Sequence, residues 1–439
     1  MKSRKRLSAW ILSLALVTTV TACSSSAPEG DSAAAGGTSK EVKITLLNSK
    51  GEIQQQLEEA AKAFKTDHPD IAMEIIPVPA GQSPFEKASA LYASGNPATI
   101  TMLDPSDVIK FKDRIADLSG EKWKADAVDK SLDGSTLDGK VMAFPLAIEG
   151  FGLIYNKAVL DKAAGGSFDP SSVKTRQDLE KLMGQVKASG TAPLVISPMD
   201  WSLGAHYLSL AYSAQSPDTA KVAAWIEELK AGKGDLANNK VFGGLMDTFD
   251  LLMKNNIDEA SALSGTYERG PELLGKGEVG LWFMGNWAWP QIQSFDTAGG
   301  QYGFLPVPLS DNPEDFGNSQ IAAAVSKRLV LDKEKSTPEQ LAAAKTFLNW
   351  MVYEEKGQDF LVNKASLIPA FKNIKLEPQD PLAKSIKDYI ARGKTQEAMG
   401  TLPADHWAKN GAAMQKYLSK TGDRAELIKD IESYWKSVK

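Results

Sequence analysis

VKITLLNSKGEIQQQLEEAAKAFKTDHPDIAMEII, residues 42–76, sets the fold class. Val42, Ile44 and Leu46 recur at every second position, the period of a strand. Ile53, Leu57, Ala61 and Phe64 then recur at helical spacing, and Pro69 ends that pattern. Ile71, Met73 and Ile75 alternate again, and the helical stretch PFEKASALYASG leads into the apolar run ATITML. Strand and helix taking turns predicts an α/β chain with a largely parallel sheet and right-handed crossovers. Ligands of such sheets bind beyond the carboxyl ends of the strands. That topology puts Lys50, just past the first strand, and Asp104, just past ATITML, at the rim of a cleft. The plainer reading of Asp104 is a turn or helix cap in DPSD.

The chain has 439 residues, 43% hydrophobic and 24% charged, an ordinary core-forming composition and too long for a typical single domain. Two lobes are expected. Residues 1–22 read as a signal peptide: Lys2, Arg4, Lys5 and Arg6 precede a short apolar run that ends at Val20-Thr21-Ala22-Cys23. Cys23 is the only cysteine, so no internal disulfide forms. Its position resembles a bacterial lipobox, which implies a mature chain starting at Cys23 and carrying lipid such as palmitate. Residues 23–40, rich in Ser, Ala and Gly, read as a flexible tether with a reach of roughly 20–25 Å. Removing residues 1–22 takes the net charge from −5 to −9. An acidic body excludes nucleic acid as the expected partner.

Motif searches for chemistry fail. His68, His206 and His406 stand apart, with no cysteine partner, so no metal-site spacing exists. Gly270 to Lys276 approaches a P-loop, but Gly277 replaces the magnesium-binding hydroxyl. Asp129, Ser131, Asp133 and Gly134 mimic a calcium loop, but Lys140 takes the place of the closing glutamate, so a turn before a hairpin is expected. Ala342 to Val362 reads as one long amphipathic helix. No cofactor, no metal and no catalytic residue is predicted.

Two stretches carry a resemblance. LDGKVMAFPLAIEGFGLIYNKAVL (137–160) is similar to the crossover segment, and GEVGLWFMGNWAWPQI (277–292) to the ligand-stacking segment, of bacterial maltose- and maltodextrin-binding proteins. FLPVP (304–308) and KTFLNWMVYEEKGQDFLVNKASLIPA (345–370) fall in matching order. The resemblance spans about residues 41–439 and extends to the sugar-binding proteins of ABC importers at large. It implies a two-lobed, type II periplasmic-binding-protein fold. Each lobe would be a mixed, mostly parallel sheet flanked by helices, with the ligand cleft between. Lobe one would be 41–148 plus 322–372 and lobe two 149–321 plus 373–439, with crossings near 148–152 and 318–322.

Sugar rings present C–H faces to aromatics and hydroxyls to polar groups. In the resemblance Trp287 matches a stacking ring, Trp289 its more structural neighbour, and Trp201 and Trp407 further stackers. Asp104 and Glu149 match carboxylates that accept from sugar hydroxyls, and Lys50 matches a polar contact. Glu149 is also readable as one half of a hinge salt bridge, and Trp282 as core. Thr101, Met102 and Leu103 stand where the family has an aromatic before the acid, so malto-oligosaccharide preference does not carry over. The implied protein is no enzyme. It would be a monomeric, lipid-anchored receptor on the outer face of the cell membrane, handing an oligosaccharide to permease subunits driven by a cytoplasmic ATPase. The competing readings are the same receptor for a non-sugar solute and a secreted glycan-processing enzyme.

Overall fold

A computed structural model describes residues 41–438 apart from 80–81, 297–298, 399–401 and 404. The expected signal peptide, Cys23 and the tether lie outside the described residues. The opening strand Val42–Asn48 pairs in parallel with Ile71–Pro77 and with Ile100–Leu103. Helices Gln54–Asp67 and Pro84–Ala93 make the two crossovers. The second starts at a capping box, in which Ser83 and Glu86 satisfy each other's backbone N–H. Alternate strand residues enter opposite cores. Ile44, Leu46, Met102 and Leu329 meet Leu57, Phe64, Phe347 and Trp350 on one face. Leu47, Leu103 and Val330 meet Ala88, Tyr92 and Phe111 on the other. A sheet covered on both faces explains why Leu47, Leu103 and Val330 are as buried as Leu46, Met102 and Leu329 beside them.

The second lobe repeats the plan with more antiparallel pairing. Ala192–Val195 runs parallel to Val279–Gly285, which pairs antiparallel with the latter half of the long strand Phe144–Asn156. Tyr302–Leu305 joins that same long strand. Phe151, Leu153, Leu281 and Phe283 face one core, and Ile154, Trp282, Met284 and Phe304 the other. Trp282 is fully buried and its indole N–H donates to Ser197 Oγ at 2.9 Å.

Two strands serve both lobes. Phe144–Asn156 places Phe144, Leu146 and Ala147 in the first lobe's core and Phe151 and Leu153 in the second's. Ile321–Leu331 does the same in the opposite sense and pairs antiparallel with it from Ala322↔Phe151 to Leu329↔Phe144. The register shifts between Val325 and Arg328. Gly150 and Gly152 sit here for lack of room. A Cβ on Gly150 would fall 2.5 Å from Ile386 Cδ1, and one on Gly152 would fall 2.8 Å from the Leu305 carbonyl oxygen. Neither has a positive φ, so close packing is their role in this structure.

The reading of 342–362 as one helix needs correction. Helix Pro338–Tyr353 stops at Glu354, whose backbone is extended (φ −104°, ψ 143°), and a short helix, Glu355–Asp359, restarts beyond it. Gly357 lets the chain fold back onto the preceding turn, because a Cβ there would fall 2.1 Å from the Trp350 carbonyl oxygen. The calcium-loop mimic instead leads to the hairpin Thr136–Leu137/Lys140–Val141. Asp138 and Gly139 hold φ of +49° and +75°, as a two-residue hairpin turn requires.

Candidate functional site

Beyond the first strand, Asn48 shapes the chain. Its Oδ1 accepts from the Lys50 N–H at 2.8 Å and its Nδ2 donates to the Lys50 carbonyl at 2.9 Å. This local turn aims the Lys50 side chain inward, to 2.5 Å from Glu149 and 2.5 Å from Glu52. Lys50 and Glu149 side chains are only 4% and 6% exposed. Burial works to lower the Lys50 pKa, and the carboxylates of Glu149 and Glu52 override it, holding the ammonium above its ordinary range. Burial works to raise Glu149, and Lys50 overrides that, holding its carboxyl below the usual value. The salt-bridge role foreseen for Glu149 is therefore occupied in this structure. Asp104 follows strand Ile100–Leu103 at the head of the 3₁₀ turn Pro105–Phe111, but its side chain caps nothing there. It accepts from the Lys327 ammonium instead. Lys327 and Glu149 thus come from the two strands shared by both lobes.

An aromatic floor faces these charges. The segment Trp201–Tyr207 is a single π-helical stretch headed by Asp200, whose carboxylate accepts from the Trp201 N–H at 2.8 Å. It is seated by helix His406–Leu418, which approaches so closely that a Cβ on Gly204 would lie 2.4 Å from both the Trp407 carbonyl oxygen and the Gly411 nitrogen. His206 lies among three rings, with centroids 4.7 Å from Phe151, 5.0 Å from Trp287 and 5.5 Å from Trp201. Tyr267 extends the floor, 5.9 Å from Trp201. Trp287 follows strand Val279–Gly285, and its ring covers Gly285: a Cβ there would fall 2.0 Å from Trp287 Cζ3. Asn286 between them accepts from the Gly150 N–H at 2.9 Å, tying this turn to the crossing strand.

Burial lowers the His206 pKa to about 4, with Glu149 and Asp104 opposing and Lys327 assisting. The ring is neutral at pH 7, and its Nδ1 is shielded from solvent without a partner. The Nδ2 of Asn286 is in the same condition. Shielded polar atoms without partners are costly unless something else supplies the bond.

Of the residues singled out in the sequence, Lys50, Asp104, Glu149, Trp201 and Trp287 share this neighbourhood. Trp287 and Trp201 are half-buried. Trp289 packs into the core edge-on to Tyr302 at 5.5 Å and is 9% exposed. Trp407, half-buried, belongs to the helix that seats the π-helical stretch. Sequence reading missed Glu52, His206, Tyr267, Asn286 and Lys327. For His206 the available signal was its place five residues after Trp201. For Asn286 it was the Gly285-Asn286-Trp287 order. Among the described residues no group of three or more His, Cys, Asp or Glu could hold a metal ion, and no helix is long and apolar enough to cross a membrane.

A profile of the bacterial extracellular solute-binding protein family matches residues 59–392, more than half of the chain. The chain belongs to that family, whose members bind solutes and are not enzymes. It is similar to an ABC transporter extracellular-binding protein of Pyrococcus horikoshii, 23% identical over 373 residues, covering 81% of this chain and 78% of the relative. Its fold is that of the solute-binding protein RafE in complex with raffinose, with a TM-score of 0.74 at 18% identity over 90% of this chain and 99% of that one. A sugar transporter protein of Bacillus licheniformis in complex with stachyose gives a TM-score of 0.68 at 18% identity, over 90% and 99%.

The buried ion pair yields a test. Lys50→Met leaves Glu149 without its cation and is expected to destabilise the protein at pH 7 by about 3–5 kcal/mol. The stranded carboxyl then titrates higher in the folded than in the unfolded chain. Folding takes up a proton, so the deficit shrinks as pH falls. Urea denaturation at pH 7 and pH 5 checks both signs, and a deficit that grows on acidification would count against the pairing.

Proposed function

We propose that this solute-binding protein is the lipid-anchored receptor of a carbohydrate ABC importer. It takes an oligosaccharide between its lobes and passes it, unaltered, to the permease. The observation that supports this most is the pairing of two half-buried tryptophans with two ion-paired groups, Lys50 with Glu52 and Glu149, and Lys327 with Asp104. Stacking faces suit the C–H surface of a sugar. Paired carboxylates and ammoniums offer its hydroxyls acceptors and donors without demanding a charged ligand. Two of the three Lys50 donors are taken by Glu149 and Glu52, which leaves one for a hydroxyl. The structural neighbours that hold raffinose and stachyose favour the same solute class.

In this reading Trp201 and Trp287 stack on the sugar, with Trp407 as a further ring and Trp289 as support behind them. Lys50, Asp104 and Glu149 address its hydroxyls. His206 Nδ1 and Asn286 Nδ2 are two further groups awaiting partners. Lobe one comprises 41–148 plus 322–372, lobe two 149–321 plus 373–439, and the shared strands act as the hinge between them. The protein stays on the outer face of the membrane through lipid on Cys23, as a monomer.

A thermal-shift screen decides the solute. A neutral oligosaccharide at a hundredfold its Kd adds roughly 2.7 kcal/mol of stability. If only polyamines or peptides raise the melting temperature, the sugar assignment falls. Trp287→Ala is expected to weaken binding of that sugar by about 1–3 kcal/mol while unfolding stays cooperative. A variant that binds normally but melts far earlier would make Trp287 a core residue.

Closure predicts that the radius of gyration falls when the sugar saturates the protein, because the site draws on both lobes. Small-angle scattering that shows no change would argue for a rigid site. Mass spectrometry of the membrane fraction should find the chain starting at an acylated Cys23. An unmodified cysteine there would remove the anchor from this account.

A further inference from the structure

One ammonium of the central site serves two carboxylates. Lys50 Nζ lies 2.5 Å from Glu149 and 2.5 Å from Glu52. The Lys50 and Glu149 side chains are buried, and that of Glu52 is only 17% exposed. Among the described residues no second cation pairs with either carboxylate. The three groups together therefore carry one negative charge. The neighbouring pairs differ in this, because Asp104 meets Lys327 and Asp107 meets Lys110 one to one. The surplus sits at one place, the Glu52–Lys50–Glu149 unit.

That unit confronts aromatic rings. Burial, followed by the negative charges of Glu52, Glu268 and Glu149, holds the Tyr267 hydroxyl well above its ordinary range. Tyr267 thus lies in the field of both carboxylates of the unit, although it packs with Trp282 and Trp289 of the other core. Its ring is 5.9 Å from Trp201, and Trp201 is 5.5 Å from His206. His206 is neutral at pH 7 and supplies no balancing charge. Asp200, beside Trp201, bonds to a backbone N–H and to no cation among the described residues. Ring faces carry the negative side of their quadrupole, so the rings and the surplus carboxylate attract the same kind of group, a cation.

We propose that the preferred solute is an amino sugar, whose protonated amine sits between the Glu52–Lys50–Glu149 unit and the Trp201–Tyr267 rings. The assignment rests on the sugar reading above and names the class of sugar. Water in an open cleft hydrates the surplus charge. A neutral solute that displaces this water leaves the charge poorly solvated, which is costly. An ammonium on the solute balances it and also gains from the ring faces. Sugars with hydroxyls alone remain ligands, but weaker ones. A uronate adds a second negative charge and is excluded.

Calorimetric titration with matched pairs tests this: glucose and glucosamine, galactose and galactosamine, mannose and mannosamine, and cellobiose with its diamino counterpart. At pH 6 the amino member of the pair that binds should bind about tenfold more tightly than the neutral member, the scale of one charge-assisted hydrogen bond. At pH 9 an amine of pKa about 8 is neutral, and the ratio should fall towards one. Lys50, held above its ordinary range, and His206 keep their charge states between these two pH values. Glu52→Gln keeps an acceptor for Lys50 and should reduce the pH 6 ratio to about twofold, whereas a purely structural loss would weaken both members alike. Equal affinity within pairs, no amino sugar bound where a neutral oligosaccharide is, or a ratio untouched by Glu52→Gln overturns the assignment and leaves the sugar reading standing. If spermidine or putrescine binds and no sugar does, the sugar reading falls and the amino sugar falls with it.

Discussion

Everything in this molecule hangs on the antiparallel pairing of Phe144–Asn156 with Ile321–Leu331. Each strand completes a sheet in one lobe and then continues into the other, so the two sheets share a pair of backbones instead of a linker. The register shift between Val325 and Arg328 falls in the middle of that pair. A bulge sets two residues against one and re-aims the side chains around it. Here Lys327 reaches Asp104, while Arg328 turns the other way and donates to the Asp133 carbonyl at 2.7 Å. The same backbone that joins the lobes therefore supplies one of the two cations of the site, and the partner strand supplies Glu149.

The charges are arranged in pairs, with one carboxylate in excess. Three carboxylates, Glu52, Asp104 and Glu149, meet two ammoniums, Lys50 and Lys327. A buried ion pair adds little net stability, because desolvating both partners consumes most of the attraction. Its value here is positional. Paired groups stay charged and fixed, and in the proposed receptor they would be ready to bond the hydroxyls of a neutral ligand.

How much of this was legible in the sequence depends on the range of the interaction. The parallel strands at 42–48, 71–77 and 100–103 were readable because alternation is local, and the placement of Lys50 and Asp104 followed from topology. The core place of Trp282 was readable from its position on the strand GLWFM, whereas the different roles expected of Trp287 and Trp289 came from family resemblance. No local rule says that Trp282 finds Ser197, that Trp287 covers Gly285, or that Trp289 meets Tyr302. His206 escaped because a search by spacing looks for partners nearby in the chain, whereas its ring contacts lie at Phe151 and Trp287. The break at Glu354 was hidden too. Amphipathic periodicity continues across it, and the close approach of Gly357 to Trp350 is visible only in three dimensions.

The division of labour across the cleft also bears on how selectivity arises. The rings come from elements of the second lobe, Trp201 and His206 from one π-helical stretch and Trp287 from the end of a strand. The charges come from the first lobe and the crossing strands. Stacking tolerates sliding and rotation of a sugar ring, whereas hydrogen bonds to fixed charges do not. In the proposed receptor a sugar resting on the rings alone would be held without being identified. Only when the charged wall met it would the hydroxyl positions count, and that wall is fastened to the shared strands through Lys50–Glu149 and Asp104–Lys327. Contacts that exist in one arrangement of the lobes and not in another are what allow a ligand to shift the balance between them. In the proposed receptor, recognition and closure are for that reason one event: the groups that read the sugar are bonded to the backbone that joins the lobes.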